Sequence, residues 1–377
     1  MMFDSQTTAI TKGIAWVSIL LYAFALLYTL INYKKWARTS EKWVRNLFWL
    51  LFFVVYAVTY AIDSDFFHYK DMVYSTREIL DYGLETVYQY IILFLNNNYF
   101  LFRVVVFGGA VLVYSFVLSR YDIDKTVGVL LMLIIFGGIF SYARATLAFS
   151  IYYLGLSFLV TNDEKRKRSF GALQVKPLMF AIGIGLILSS YLFHRSMLFL
   201  IALTPSVFVK LSRKGLYAIA FLSPLILFAL RGILGNVFEL LSFDAVIDQR
   251  INDVYSEAVE INANWLGFIG QVLHYGKYLL CYILISISLY RHIGLIDKRI
   301  LHLFSYYVVL SYVALLSYPL FDGNIVYMHR FLNMSIVPII IIISYLYKHR
   351  FMQATSLMMV VYWSIANSFL SFARYIF

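Results

Sequence analysis

The chain has 377 residues, 62% hydrophobic and 14% charged, with a mean hydropathy of +0.77. No single soluble core hides that much apolar surface, so the composition excludes an ordinary globular domain and points to an all-α, polytopic integral membrane protein. A formal charge of +11 would suggest nucleic acid in a soluble protein, but here loop topology explains it, and the lone Cys281 excludes an intramolecular disulfide.

The opening MMFDSQTTAITKG has neither a basic leader nor a small-residue cleavage site, so the first apolar run is expected to remain as a membrane helix. Runs able to cross a bilayer, some only with thinning or tilt, cover 14–31, 47–62, 101–119, 126–142, 145–161, 178–192, 197–209, 216–230, 265–290, 301–318, 331–347 and 356–372. That predicts about 12 transmembrane helices in one membrane domain, 1–377. Residues 86–95 are apolar but short, which suits an interfacial or re-entrant helix; counting them as a span would invert everything after them.

Alternate loops then hold about two thirds of the lysines and arginines, notably the basic loops about 32–46 and 162–177. The intervening loops hold most of the acids. The basic set is therefore expected in the cytoplasm, with both termini and two large loops, about 63–98 and 231–264, outside. Either loop serves equally as a plain connector or as cover for a site.

Residues 126–161 would make about 54 Å of helix against a hydrocarbon core of about 30 Å, so this stretch must fold back on itself. Arg144 falls at or near the fold, with Gly137 and Gly138 upstream where a helix can bend. Residues 178–209 repeat the arrangement, interrupted by His194 and Arg195.

Arg144, Arg195 and Arg330 each begin a span whose N-terminus points outward, where basic residues are selected against. Free backbone N–H groups beside a guanidinium fork suit phosphate oxygens, and three such ends would hold a diphosphate. Snorkelling to lipid headgroups is the plainer alternative for each. Arg231 and Arg250 fit solvated loop positions better. His194 and His329, each directly before an arginine, suit a general base on a sugar hydroxyl. Asp63, Asp65 and His68 offer metal ligands or a carboxylate base, or else Asp65 caps a helix. Most aromatic residues suit membrane packing and interface belts, and the outer-loop tyrosines, among them Tyr69, Tyr74, Tyr82, Tyr88 and Tyr90, are also candidates for flat platforms that suit sugars. No Walker loop, dinucleotide fingerprint, zinc cluster or Ser-His-Asp set is present in the sequence.

YARATLAFSIYYLGLSFLV, a basic break, then SSYLFHRSMLFLIAL resemble the Arg-x-x-(hydrophobic)-Ala and Phe-His-x-Ser segments of EpsG-like and Wzy-type polysaccharide polymerases. DSDFFHYKDMVY with LETVYQYIILFL resembles that family's Asp…Tyr and Glu-x-x-Tyr stretch in the first outer loop, and MHRFLNMSIVP resembles its late arginine. The resemblance covers about 63–205 and 327–338. It implies a GT-C-like helical bundle in the bacterial cytoplasmic membrane, joining polysaccharide repeat units at the outer face as an inverting, metal-independent glycosyltransferase without a cofactor. The implied partners are polyprenyl-diphosphate-linked oligosaccharide donor and acceptor, membrane lipids, and a chain-length regulator and flippase of the same pathway, with no nucleic acid. It implies Arg144 and Arg330 on the donor diphosphate and His194 near the reacting centre. Beside that, the residues themselves offer Arg195 as a further diphosphate contact, Asp65 as the alternative base, and Tyr69, His329 and Arg250 as candidates toward the glycan. Arg144 is followed by Ala145 where many relatives have Gln, which removes an amide contact.

Two other functions fit the same residues. A flippase would bind the lipid-linked glycan without chemistry, but its spans normally form two related halves and no such repeat is evident. A membrane O-acyltransferase would use His194 as base but needs a cytoplasmic route for its acyl donor.

Overall fold

The computed structural model describes residues 73, 85–123, 143–160, 177–209, 265–320, 331–349 and 351. These residues are 87% helical and contain no strand. Their helices are α1 (Thr86–Phe94), α2 (Tyr99–Arg120), α3 (Ala143–Val160), α4 (Pro177–Phe193), α5 (Met197–Leu203), α6 (Trp265–His292), α7 (Lys298–Leu320) and α8 (Ile336–Lys348). A 3-10 turn, Thr204–Phe208, follows α5. Contacts divide the chain into two compact units, Met1–Thr204 with Ile343–Phe377, and Pro205–Ile342.

In the first unit, the run Asn96-Asn97-Asn98 separates α1 from α2. Asn96 and Asn97 have φ of 52° and 55°, a left-handed geometry that asparagine tolerates better than other side chains. The Asn97 N–H donates to Ile92 O and the Asn96 N–H to Leu93 O, satisfying carbonyls the helix end leaves open. Asn98 Oδ1 then accepts from the Leu101 N–H at 3.0 Å and starts α2. The far end of α2 repeats the device at Asp122, whose φ is 57°. Ile123 N–H closes onto Leu118 O there, and Lys348 Nζ donates to the Asp122 carbonyl at 2.8 Å.

α3 and α4 pack along most of their length in antiparallel fashion. Their approach is set by two glycines: a Cβ on Gly155 would lie 2.7 Å from Gly183 O, and one on Gly183 would lie 3.0 Å from Gly155 O. Backbone therefore meets backbone, as small residues permit where helices in an apolar medium pack closely. α2 runs parallel to α3, with Gly109 beside Leu147 at one end and the Arg120 guanidinium 3.9 Å over the Phe158 ring at the other.

α5 is only seven residues long. The Thr204 N–H bonds Ile201 O rather than Leu200 O, which tightens the turn to 3-10. The released Leu200 carbonyl accepts from both Thr204 Oγ1 and Tyr152 Oη, each at 2.9 Å. Pro205, without an N–H, then cannot continue an α-helix. The expected span 197–209 is thus helical but only about 20 Å long over its described residues.

In the second unit, α6 and α7 form a hairpin. Asp297 starts α7 by accepting from the Arg299 N–H at 2.8 Å. Tyr282 and Tyr312 hydroxyls meet at 3.2 Å between the two helices. Tyr278 Oη donates to Asn333 Oδ1 at 2.8 Å. His302 and Ser305 on α7 hold the Val207 and Val209 carbonyls at 2.7 and 2.9 Å.

The expected single span 331–347 is broken at Ser335, whose N–H and Oγ both reach Leu332 O. Pro338 supplies no N–H for the Met334 carbonyl, and the helix restarts as α8. The expected runs 101–119, 145–161, 178–192, 265–290 and 301–318 all appear as helices, and 86–95 as the short α1. The runs 14–31, 47–62, 126–142, 216–230 and 356–372, and the loops 32–46 and 231–264, lie outside the described residues. Among the described residues, Tyr99–Arg120 is the one helix long and apolar enough to cross a membrane.

The two-glycine contact yields a paired test. Gly155→Ala must push apart two backbones and is expected to destabilise the protein by about 1–3 kcal/mol. Gly185→Ala, with nothing within 4 Å of its added methyl, is expected to be neutral or stabilising by about 0.5–1 kcal/mol. Thermal unfolding in detergent measures both. Equal shifts for the two would remove the contact from its role in setting the helix pair.

Candidate functional site

The antiparallel register of α3 and α4 decides which charged residues share a level. Gly155 lies opposite Gly183, and Arg144 precedes Gly155 by as many residues as His194 follows Gly183. Arg144, in the first turn of α3, and His194, just past the end of α4, therefore stand at the same end of the pair. Arg195 follows directly and is exposed.

The bend is pinned through the backbone of His194. Its N–H donates to Ser190 O and closes the last turn of α4, while its carbonyl accepts from the Met197 N–H as α5 begins. The side chain is 26% exposed, and Nδ1 lies 3.0 Å from Glu85 Oε1. Glu85 is far more enclosed, at 7% exposure. It sits directly before α1, where its extended backbone (φ −62°, ψ 139°) and its carbonyl begin the helix while its side chain makes no capping bond.

Tyr88, one turn into α1, holds this carboxylate in place. It is fully buried between two rings, edge-on to Phe102 of α2 at 6.2 Å and to Phe193 of α4 at 6.1 Å. Such edge-to-face pairs are favourable, and here they join three helices at one point. Arg103 is also near this end. It is 2% exposed, donates from a terminal guanidinium nitrogen to Tyr99 Oη at 3.2 Å, and lies 4.9 Å over the Phe107 ring. By the parallel register of α2 and α3, Arg103 is close to the level at which α3 begins.

One end of the bundle thus collects a buried carboxylate, an imidazole bonded to it, the exposed Arg195, the enclosed Arg103, and the first turn of α3, which contains Arg144. Cations and free N–H groups at a helix start attract anions. An imidazole with one nitrogen bonded to a carboxylate keeps the other for a proton. The set can bind an anionic group and move a proton beside it.

Of the residues singled out from sequence, the structure brings together Arg144, His194 and Arg195 at the level of the backbone. Asp63, Asp65, His68, Tyr69, Arg250, His329 and Arg330 lie outside the described residues. Among the described residues no three His, Cys, Asp or Glu side chains gather as a metal site requires. Sequence reasoning passed over Glu85, which is one of many acids in its loop, although it leads the Glu-x-x-Tyr stretch. It also passed over Arg103 and over Lys277, which is 4% exposed within α6 with its ammonium 5.3 Å over the Tyr278 ring. A lone cation inside a long apolar run was the available signal for both.

No family model, curated protein or solved structure matches the chain.

Tyr88→Ala removes the wedge that seats α1 and is expected to cost about 3–5 kcal/mol, most of it local. Hydrogen exchange should show residues 86–94 losing protection well before α2 and α3. Unchanged protection in 86–94 would mean that something other than Tyr88 holds Glu85 against His194.

Proposed function

We propose that this chain is a polysaccharide polymerase with about 12 spans in the bacterial cytoplasmic membrane, acting at its outer face on glycans carried by polyprenyl diphosphate. The observation that carries the reading is the gathering of Arg144, Arg195 and the Glu85–His194 pair at one end of the α3–α4 hairpin. Supporting a lipid surround, α2 exposes Leu101, Val105, Leu112 and Phe116 on one stripe, and α4 exposes Leu178, Leu188 and Leu192. Phe94 at the end of α1 is 88% exposed, as an interfacial anchor would be.

In this scheme the donor diphosphate lies against Arg144 and Arg195, with Arg330 as a further contact, and the polyprenyl tail leaves between helices. The acceptor hydroxyl gives its proton to His194, and its oxygen attacks the anomeric carbon from the face opposite the diphosphate. The anomeric C–O bond breaks with its electron pair going to the diphosphate, and the configuration inverts. Guanidinium groups fixed in a low-dielectric boundary stabilise that growing charge more than the ground state. Asp65 is the alternative to His194 as base, and Tyr69, His329 and Arg250 are assigned to the glycan.

Purified protein incubated with a lipid-linked repeat unit, without nucleotide sugar and with or without chelator, is expected to produce a ladder of longer glycans. Arg144→Ala is expected to lower the rate on the order of 10²-fold. An unchanged lipid-linked unit that nevertheless crosses a vesicle bilayer would replace polymerase with flippase. Orientation is checked separately by labelling a cysteine placed at Asn162, expected inside, and one at Asn262, expected outside. The reverse pattern would put the site on the wrong face for this reaction.

A further inference from the structure

Glu85 occupies a position that normally serves a helix. The residue before the first turn usually lends a short polar side chain to the helix's free N–H groups, which is why Ser, Thr, Asp and Asn prevail there. Glu85 has the extended backbone of that position but makes no such bond, and its carboxylate instead reaches His194, 109 residues along the chain. The carboxylate is almost fully enclosed, and Tyr88 on the next turn is locked between Phe102 and Phe193. His194 is equally constrained, with its N–H and its carbonyl both committed to the turn between α4 and α5. Two rigid backbones thus present one carboxylate oxygen to one ring nitrogen at 3.0 Å.

An ionised carboxylate accepts hydrogen bonds and donates none. In a neutral ring the nitrogen facing it then carries the hydrogen, which leaves the lone pair on the opposite nitrogen of a side chain that is 26% exposed. We propose that Glu85 is the positioning residue of the transfer reaction: it holds His194 as the Nδ1–H tautomer and thereby selects Nε2 as the atom that takes the acceptor's proton. This rests on the polymerase reading. As the acceptor O–H bond breaks, the proton moves to Nε2, the new glycosidic C–O bond forms, and the bond to the diphosphate breaks with its electron pair on the leaving group. The imidazolium then lies against the Glu85 carboxylate, so the pair stabilises the charge that the step creates. The proton afterwards passes from Nε2 to solvent.

A tether between α1 and the α4–α5 turn would use the same hydrogen bond without choosing a tautomer, and two readouts separate these roles. With histidines labelled with nitrogen-15 and His194→Ala supplying the assignment, nuclear magnetic resonance of the substrate-free protein reads which ring nitrogen carries hydrogen. The wild type is expected to show Nδ1 protonated and Nε2 bare. Glu85→Gln, whose amide can also donate, is expected to mix or invert that pattern. In the glycan ladder assay, Glu85→Gln should lower kcat on the order of 10²-fold with KM for the lipid-linked unit nearly unchanged, and Glu85→Asp should recover part of the loss. A wild-type protein with Nε2 protonated overturns the proposal before any variant is made, so misfolding of a variant does not shield it. Glu85→Gln with wild-type kcat also overturns it and leaves the polymerase reading intact. Conversely, a Glu85-dependent tautomer in a protein that makes no ladder removes the polymerase and keeps the pair.

Discussion

The contact between Gly155 and Gly183 is the constraint on which the described part of the first unit depends. Hydrophobic attraction alone brings apolar helices together at many registers, because one leucine-rich face fits another nearly as well. Two glycines facing each other allow backbones to meet at one register and at no other nearby. Because the helices are antiparallel, that register also fixes what happens far from the glycines. It sets Arg144 level with His194, and the parallel packing of α2 on α3 brings Arg103 toward the same end.

Several polar groups within these helices are satisfied locally. Ser150 and Ser157 of α3, and Ser189 and Ser190 of α4, each return a hydroxyl hydrogen to a carbonyl of their own helix. Where the turn after α5 tightens, named side chains close the ladder. Tyr152 and Thr204 cover the Leu200 carbonyl, and His302 and Ser305 cover those at the end of the 3-10 turn. A backbone group shut away from water is costly to leave open, which is what these partners prevent.

The Glu85–His194 pair stands apart from that economy. Its carboxylate comes from the residue directly before a short helix, which is seated by the buried Tyr88 and Ile92. Enclosing a carboxylate is unfavourable unless hydrogen bonds compensate. Its bond to an imidazole that is itself part-exposed joins an enclosed anion to a group able to exchange protons outside. Arg103 shows the complementary solution for a cation, stacked on one ring and bonded to a second residue's hydroxyl on its own helix.

Among the described residues, the sequence by itself determined which stretches are helical and where several of them begin or end. Apolar runs of sufficient length admit little else, and Asn98 and Asp297 act on their own neighbours, so the reason for each of these starts is local. Arg144, His194 and Arg195 were legible as candidates because charge is scarce in such runs. Two breaks were less visible, at Ser335 and after Leu203, because an apolar run looks continuous even where a proline removes one N–H. Only the tertiary structure decided that Glu85 belongs with His194 and that Arg103 lies near them. Pairing a carboxylate with a ring 109 residues away depends on the glycine register and on the Tyr88 wedge, and neither leaves a periodic trace in the chain.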